Sequence, residues 1–143
     1  MTIDQAKKEK IDAFLAEPVL ARLATANPKN CQPHNVPVWF LWDGESIYIS
    51  AFDSTRKVKD LKKNLRCSIC IDTQESGKHL TGVVLEGVAE LFNGPGGFVT
   101  EMSLRIYEKY MGPEGVKAPE PQSWAVDAGN HIIKLTPEYI YTW

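Results

Sequence analysis

The sequence predicts a mainly β protein with short helices, its antiparallel strands closed into a small six-stranded barrel. Three observations predict it. Short runs of alternating polarity recur along the chain, as where Ile47 and Ile49 face one way and Ser46, Tyr48 and Ser50 the other. Turn signals separate those runs at short intervals, and Asp43-Gly44 is the strongest hairpin signal among them. The strand connections are therefore mostly local, and an antiparallel sheet of that kind must close or be covered to hide its edges. A chain of 143 residues, 43% hydrophobic, suits one domain over residues 1–143 that buries its own core.

Taken in order, Thr2 with Gln5 resembles a capping box. Ile3, Ala6, Ile11, Phe14 and Leu15 then form a helical stripe that Pro18 ends. Val19 to Ala26 reads as a buried strand carrying one charge, Arg22, and Asn27-Pro28-Lys29-Asn30 as a turn. A second, longer strand runs from about Gln32 to Trp42. Pro33 and Pro37 within it cannot donate ladder bonds, which points to an edge or to bulges.

The third strand is Ser46 to Ser50. After Ser54 a basic helix begins, with Val58, Leu61 and Leu65 as its apolar stripe and Asp53, Ser54 and Thr55 as candidate caps. Cys67 to Asp72 is the fourth strand, with Cys67, Ile69 and Ile71 sharing a face. Thr81 to Phe92 is the fifth, where Gly82 and Gly87 mark bulges or a close approach to the backbone. Gly94-Pro95-Gly96-Gly97 breaks the chain, and Phe98 to Met111 reads as a helix with Met102, Ile106 and Tyr110 on one stripe. Gly112 to Ser123 reads as a loop by its Pro and Gly content, placed to shape access to a site. His131 to Trp143 is a last strand or hairpin.

Composition narrows the function. A net charge of -2 and a pI near 5.9 leave no basic excess for a nucleic-acid backbone. No run approaches the roughly 18 apolar residues of a membrane span. The N-terminal MTIDQAKKEK lacks the apolar core of a signal peptide, so a cytoplasmic location is the expectation. Three cysteines, Cys31, Cys67 and Cys70, agree with a reducing compartment.

Against that acidic background, six of the sixteen Lys and Arg residues fall between Arg56 and Arg66, opposed there by Asp60 alone. A solvated helix face that binds nothing is the ordinary reading of such a run. A strand feeding a capped helix with Arg-Lys in its first turn also suits a phosphate, because open amides, the helix dipole and two cations all favour an anion. Cys67 and Cys70 have C-x-x-C spacing, but residues three apart in a strand face opposite ways, so both read as small hydrophobes. Cys31, His34, His79 and His131 have no metal-like spacing, and no site is expected for a metal. No G-x-S-x-G elbow is present, His34 reads as structural, and no catalytic side chain is assigned. Arg22 needs a partner, either a carboxylate or an anionic ligand. Trp39, Phe40, Trp42, Trp124 and Trp143 suit either a core or the walls of a flat ring system. An anion anchor, aromatic walls and no acid–base machinery point to a bound cofactor that does the chemistry.

In their order, ARLATAN, QPHNVPVWFLWDGESIYIS, STRKVKDLKKN, GVVLEGVAEL and KLTPEYIYTW resemble the small FMN-binding split-barrel proteins of the pyridoxamine 5'-phosphate oxidase-like superfamily. The resemblance spans about Phe14 to Trp143. It implies a six-stranded antiparallel split barrel that dimerises, with FMN in a cleft between subunits. Thr55, Arg56 and Lys57 would then hold the phosphate, with Ser50 and Ser54 nearby. Asn35, Val36, Pro37, Val38 and Trp39 would run along the isoalloxazine ring, with Trp143 close by. The chain has no Lys or Arg after Lys134, unlike true pyridoxamine phosphate oxidases, so that particular activity is not implied. A sister branch binds the deazaflavin coenzyme, whose acidic tail would suit Lys59, Lys62 and Lys63. The resulting expectation is an FMN-dependent oxidoreductase for a small organic substrate. The alternatives are a deazaflavin-dependent reductase and a flavin- or haem-binding module without turnover.

Overall fold

The computed structural model describes residues 3–75, 77, 80–94 and 96–143. Thr2 of the expected capping box, His79 and Pro95 lie outside the described residues. Helix α1, Gln5–Leu15, starts instead from Asp4, whose Oδ1 accepts the Lys7 amide at 2.9 Å. Its buried stripe is Ile11, Phe14 and Leu15, while Ala6 is exposed.

β1, Ala21–Ala26, and β2, Pro33–Val38, form a hairpin around the Asn27 turn. β3, Leu41–Trp42, and β4, Ile47–Phe52, form a second hairpin. The Asp43 carboxylate accepts the Glu45 and Ser46 amides there, and Gly44 takes φ 99°. Helix α2, Arg56–Leu61, leads into β5, Arg66–Asp72, and β6, Gly82–Asn93. Val58 and Leu61 bury, but α2 ends at Leu61 and Leu65 lies beyond it, 38% exposed. The expected stripe is therefore one residue short.

β6 is the shared spine. One edge pairs with β5, and the other pairs first with β8, Tyr139–Thr142, and then with β7, Asn130–Leu135. The sheet runs β2-β1-β5-β6-β7-β4-β3, antiparallel in every pair, and curls into a split barrel. The six expected strands are present, but two of them divide, giving eight. The last does not fold back on itself as a hairpin, because β7 and β8 each pair with β6. The second divides at Trp39–Phe40, where the chain crosses from one end of the strand order to the other.

Helix α3, Gly97–Gly115, is regular until Gly112, whose φ of 80° breaks it. Helix α4, Pro119–Val126, follows. The expected loop from Gly112 to Ser123 is therefore largely helical. Its prolines mislead because Pro119 and Pro121 sit in a first turn, where the missing N–H costs nothing. The barrel interior holds Leu23, Phe40, Ile47, Ile49, Ile69, Ile71, Val83 and Leu85, all with no exposed surface. A second apolar layer joins α3 and α4 to the outer side of β4 and β7 through Tyr48, Ile106, Tyr107 and Ile132.

Backbone groups at the Trp39–Phe40 crossover have left both ladders, and α3 supplies their partners. The Phe40 amide donates to the Tyr110 hydroxyl at 3.2 Å, and that hydroxyl donates to the Val19 carbonyl at 2.7 Å. Lys109 Nζ donates to the Phe40 and Leu15 carbonyls, each at 3.1 Å, and lies 3.7 Å from the Phe40 ring centroid. Burial pushes its pKa down to about 8. Lys109→Met would strand two carbonyls, and a loss of about 1–3 kcal/mol is expected in urea denaturation. The unfolded chain keeps that proton up to the ordinary value of 10.5. Wild type should therefore gain stability over Lys109→Met as pH rises from 8 to 10, by about 1 kcal/mol after screening of a half-buried group.

Candidate functional site

The basic run places its cations around a cleft of about 470 Å³ between the β1–β2 turn and the start of α2. Lys29, Arg56, Lys59 and Lys63 line it, with Ser54, Asn27 and one carboxylate, Asp60. Asp60 is 5% exposed and already committed: its Oδ2 accepts the Thr25 hydroxyl at 3.0 Å and lies 3.8 Å from Arg56 Nε. The carboxylate thus ties α2 to β1 and orients Arg56, leaving the cleft with a clear positive excess.

Thr55 is the N-cap of α2, but its hydroxyl donates back to the Phe52 carbonyl at 2.6 Å. No side chain caps the first-turn amides of α2, so these donors remain available to an acceptor from outside. Lys57 is half-buried and has no hydrogen-bond or ion-pair partner among the described residues, and burial pushes its pKa down. A desolvated ammonium without a counter-ion is a group that an anion would relieve. These features fit a phosphate or a similar small anion.

Ser50 is occupied elsewhere. Its hydroxyl donates to Asn130 Oδ1 at 2.9 Å, lies 2.9 Å from the Tyr107 hydroxyl, and accepts from Ser103 at 3.2 Å. That network fixes β4 to β7 and α3. Asn35, Val36, Pro37 and Val38 occupy β2, an edge strand as its two prolines suggest, paired with Ala24, Leu23, Arg22 and Ala21. Trp39 stacks on Tyr110 at 4.9 Å and 4°, so α3 holds one of its faces.

Trp143 ends on the far side. Its backbone pairs with Gly82, and its indole lies over that residue so closely that a Cβ there would sit 2.1 Å from the ring. The close approach expected at Gly82 is thus made by the chain's own terminal side chain. Gly82 opposes Asp72, at the Ala21 end of the sheet, whereas the basic cleft adjoins Ala26. Five residue steps along β1 separate the two ends by about 17 Å. The structure therefore brings Ser54 and Arg56 together at the cleft, with Thr55 and Lys57 beside them in sequence, and leaves Trp143 at the other end.

The remaining candidates resolve simply. Arg22 NH1 donates to Asp72 Oδ1 at 2.7 Å, so a carboxylate, one of the two partners expected for it, is present. Cys67 faces the core, where burial pushes its thiol up to about 12, while Cys70 faces outward. Among the described residues no cluster of His, Cys, Asp and Glu could hold a metal ion, and no helix is long and apolar enough to cross a membrane. Asn27, Pro28 and Lys29 are the cleft residues that sequence reasoning missed; their turn was legible, but not the approach of that turn to α2.

Two substitutions at Asp60 separate its structural and electrostatic effects. Asp60→Ala should cost about 1–3 kcal/mol in urea denaturation by stranding the Thr25 hydroxyl. Asp60→Asn keeps an acceptor for Thr25 and removes the negative charge, so inorganic phosphate titrated by NMR should bind several-fold more tightly than to wild type.

Comparison with known proteins adds the lineage. No curated protein sequence matches this one closely. Among solved structures, a conserved hypothetical protein from Mycobacterium tuberculosis superposes with TM-score 0.78 at 21% identity, covering 100% of this chain and 86% of that one. An F420 reductase superposes with TM-score 0.73 at 22% identity, covering 91% and 94% respectively. The heme storage protein of Vibrio cholerae superposes with TM-score 0.73 at 15% identity, covering 94% and 92%. At such identities these likenesses show the split-barrel fold alone. The sequence model of the pyridoxamine 5'-phosphate oxidase family matches residues 8–143, and the chain belongs to that family.

Proposed function

We propose that the protein is an FMN-binding oxidoreductase for a small organic substrate, working as a homodimer with the cofactor between subunits. The observation that carries the reading is the cationic cleft beside the uncapped start of α2, in a family named for a flavin-type oxidase. Arg56 and Lys57 would neutralise the FMN phosphate, with Ser54, Thr55 and the α2 amides donating to its oxygens. The edge strand β2 leads away from that cleft, so a ligand anchored by its phosphate can lay its ring along Asn35 to Val38. Trp39, pinned by Tyr110, would close the ring's far end. Bound FMN supplies hydride or electron transfer, while the protein positions the ring and sets the polarity around it.

Two residues take changed parts in this reading. Ser50 braces β4 through its network instead of meeting the phosphate. Trp143 shares the Ala21 end with the ring's proposed far end but lies over β6, three strands across the sheet from β2, and so would not meet a ring laid along β2 of the same chain. The site is read as shared on the family resemblance, and in such a dimer the two-fold axis would set a second copy's Trp143 against the ring. Tyr139 and Tyr141 of β8 and Trp143 just after it, all more than half exposed, supply the apolar surface for such a contact.

One observation favours a second reading, a deazaflavin-dependent reductase. Lys59, Lys63 and Lys29 extend the cationic lining beyond what a single phosphate needs, as an acidic tail would require. Lys62 does not line the cleft.

The double variant Arg56→Ala, Lys57→Ala should weaken FMN binding at least tenfold in a fluorescence titration, since charge-assisted contacts contribute about 1.5–3 kcal/mol each. Unchanged occupancy would move the phosphate elsewhere. The spectrum of the purified protein tells the cofactors apart: flavin gives two visible-region bands, the deazaflavin one at shorter wavelength. Reduction by a nicotinamide donor and reoxidation by added acceptors is expected. Failure to pass electrons to any acceptor would favour a flavin- or haem-binding module without turnover.

A further inference from the structure

We propose that Arg22 forms a carboxylate-binding subsite beside β2 and that the substrate is a small organic acid. The proposal deepens the cofactor reading by naming a substrate class. It rests on that reading for the role of β2 as the strand along which the ring lies.

A cleft of about 430 Å³ is lined by Leu20, Arg22, Asn35, Val36 and Pro37. It thus contains three of the residues assigned to the ring, together with one charged side chain, Arg22, that stands opposite Pro37 in the register. The ion pair to Asp72 uses one corner of the guanidinium, and no other hydrogen bond engages its remaining N–H groups among the described residues. Because Arg22 and Asp72 are each about half exposed, the pair contributes little stability. It does hold the guanidinium in place across β1 and β5.

The free side of that planar fork matches the two oxygens of a carboxylate. An anion there meets the guanidinium directly and the Asp72 carboxylate only from beyond it, so attraction outweighs repulsion. Leu20, 45% exposed, joins Val36 and Pro37 as apolar wall for the rest of the molecule. Pro33 and Pro37 offer no N–H to another strand, so β2 makes a poor template for one, and the exposed Asn35 adds a polar side chain to the cleft lining. A small acid with an apolar body fits these groups better than a peptide would.

Benzoate and benzamide share a shape and differ in charge. Their binding is to be followed by ligand-observed NMR at low ionic strength, on protein both stripped of cofactor and loaded with FMN. Wild type is expected to prefer benzoate at least tenfold, Arg22→Ala to lose the preference, Arg22→Lys to keep part of it, and Asp72→Asn to increase it. Equal binding of the two ligands by wild type, or a preference that survives in Arg22→Ala, would overturn the proposal. Thermal melts confirm that each variant is folded. FMN occupancy, measured on the same samples, reports separately on the cofactor reading, because the charge preference is read in the stripped protein as well.

Discussion

The structure depends on how the chain gets from β2 to β3. An antiparallel strand that simply continued past Val38 would have extended the first half of the sheet and left the barrel open. Instead Trp39 and Phe40 carry the chain across to the opposite end of the strand order, and the ladder bonds lost there are replaced by Tyr110 and Lys109. Peptide groups without partners away from water cost more than most single interactions contribute, so this junction cannot form without α3 in place. The consequence reaches the site directly. Because the chain leaves at Trp39, β2 has no strand on its outer side, and its edge stays open along the region where the ring is proposed to lie.

A second constraint concerns charge. A protein with formal charge -2 concentrates cations at one place by folding a surface turn, Asn27 to Asn30, against a short helix. Like charges gathered there repel each other, and the helix is too short to be stable by itself. Burial of Val58 and Leu61 and the Asp60–Thr25 bond hold it down from below. Asp60 thus has two effects of opposite sign: it secures the helix and takes one charge from the cleft. That balance suits a site built to bind an anion reversibly, because an unopposed cluster would weaken the fold and a fully paired one would attract nothing.

Much of this was legible in the residues, and the parts that were not share a cause. The strands showed themselves because burial on one face imposes a period of two, and Pro33 and Pro37 marked the edge because proline lacks a donor. Arg22 announced its need for a counter-ion. What failed were inferences from composition or periodicity applied where position within an element decides. Pro119 and Pro121 read as loop residues, yet they sit in the first turn of α4, where proline is welcome. Leu65 continued a helical period, but the helix had ended at Leu61 and the next strand was starting. The resemblance sets Trp143 near the ring, and the register with Gly82 adds what no local pattern carries, that it stands at the end of the sheet away from the cationic cleft. Lys29 belongs to the cleft through a tertiary contact that no local pattern encodes.

The two ends of the sheet offer different chemistry to the proposed cofactor. At the Ala26 end stand the cations and open amides, which recognise charge and are indifferent to the shape behind it. At the Ala21 end stand Arg22, Leu20 and the exposed Trp143, which recognise a planar or acidic group once something else has located it. Charge acts over a longer range than shape, so the cationic end would capture an elongated cofactor first, and β2, running between the ends, would set the line along which its body settles. In the proposed dimer a two-fold partner would set each chain's aromatic end against the other's site, so that a single short domain would supply both halves of two equivalent sites.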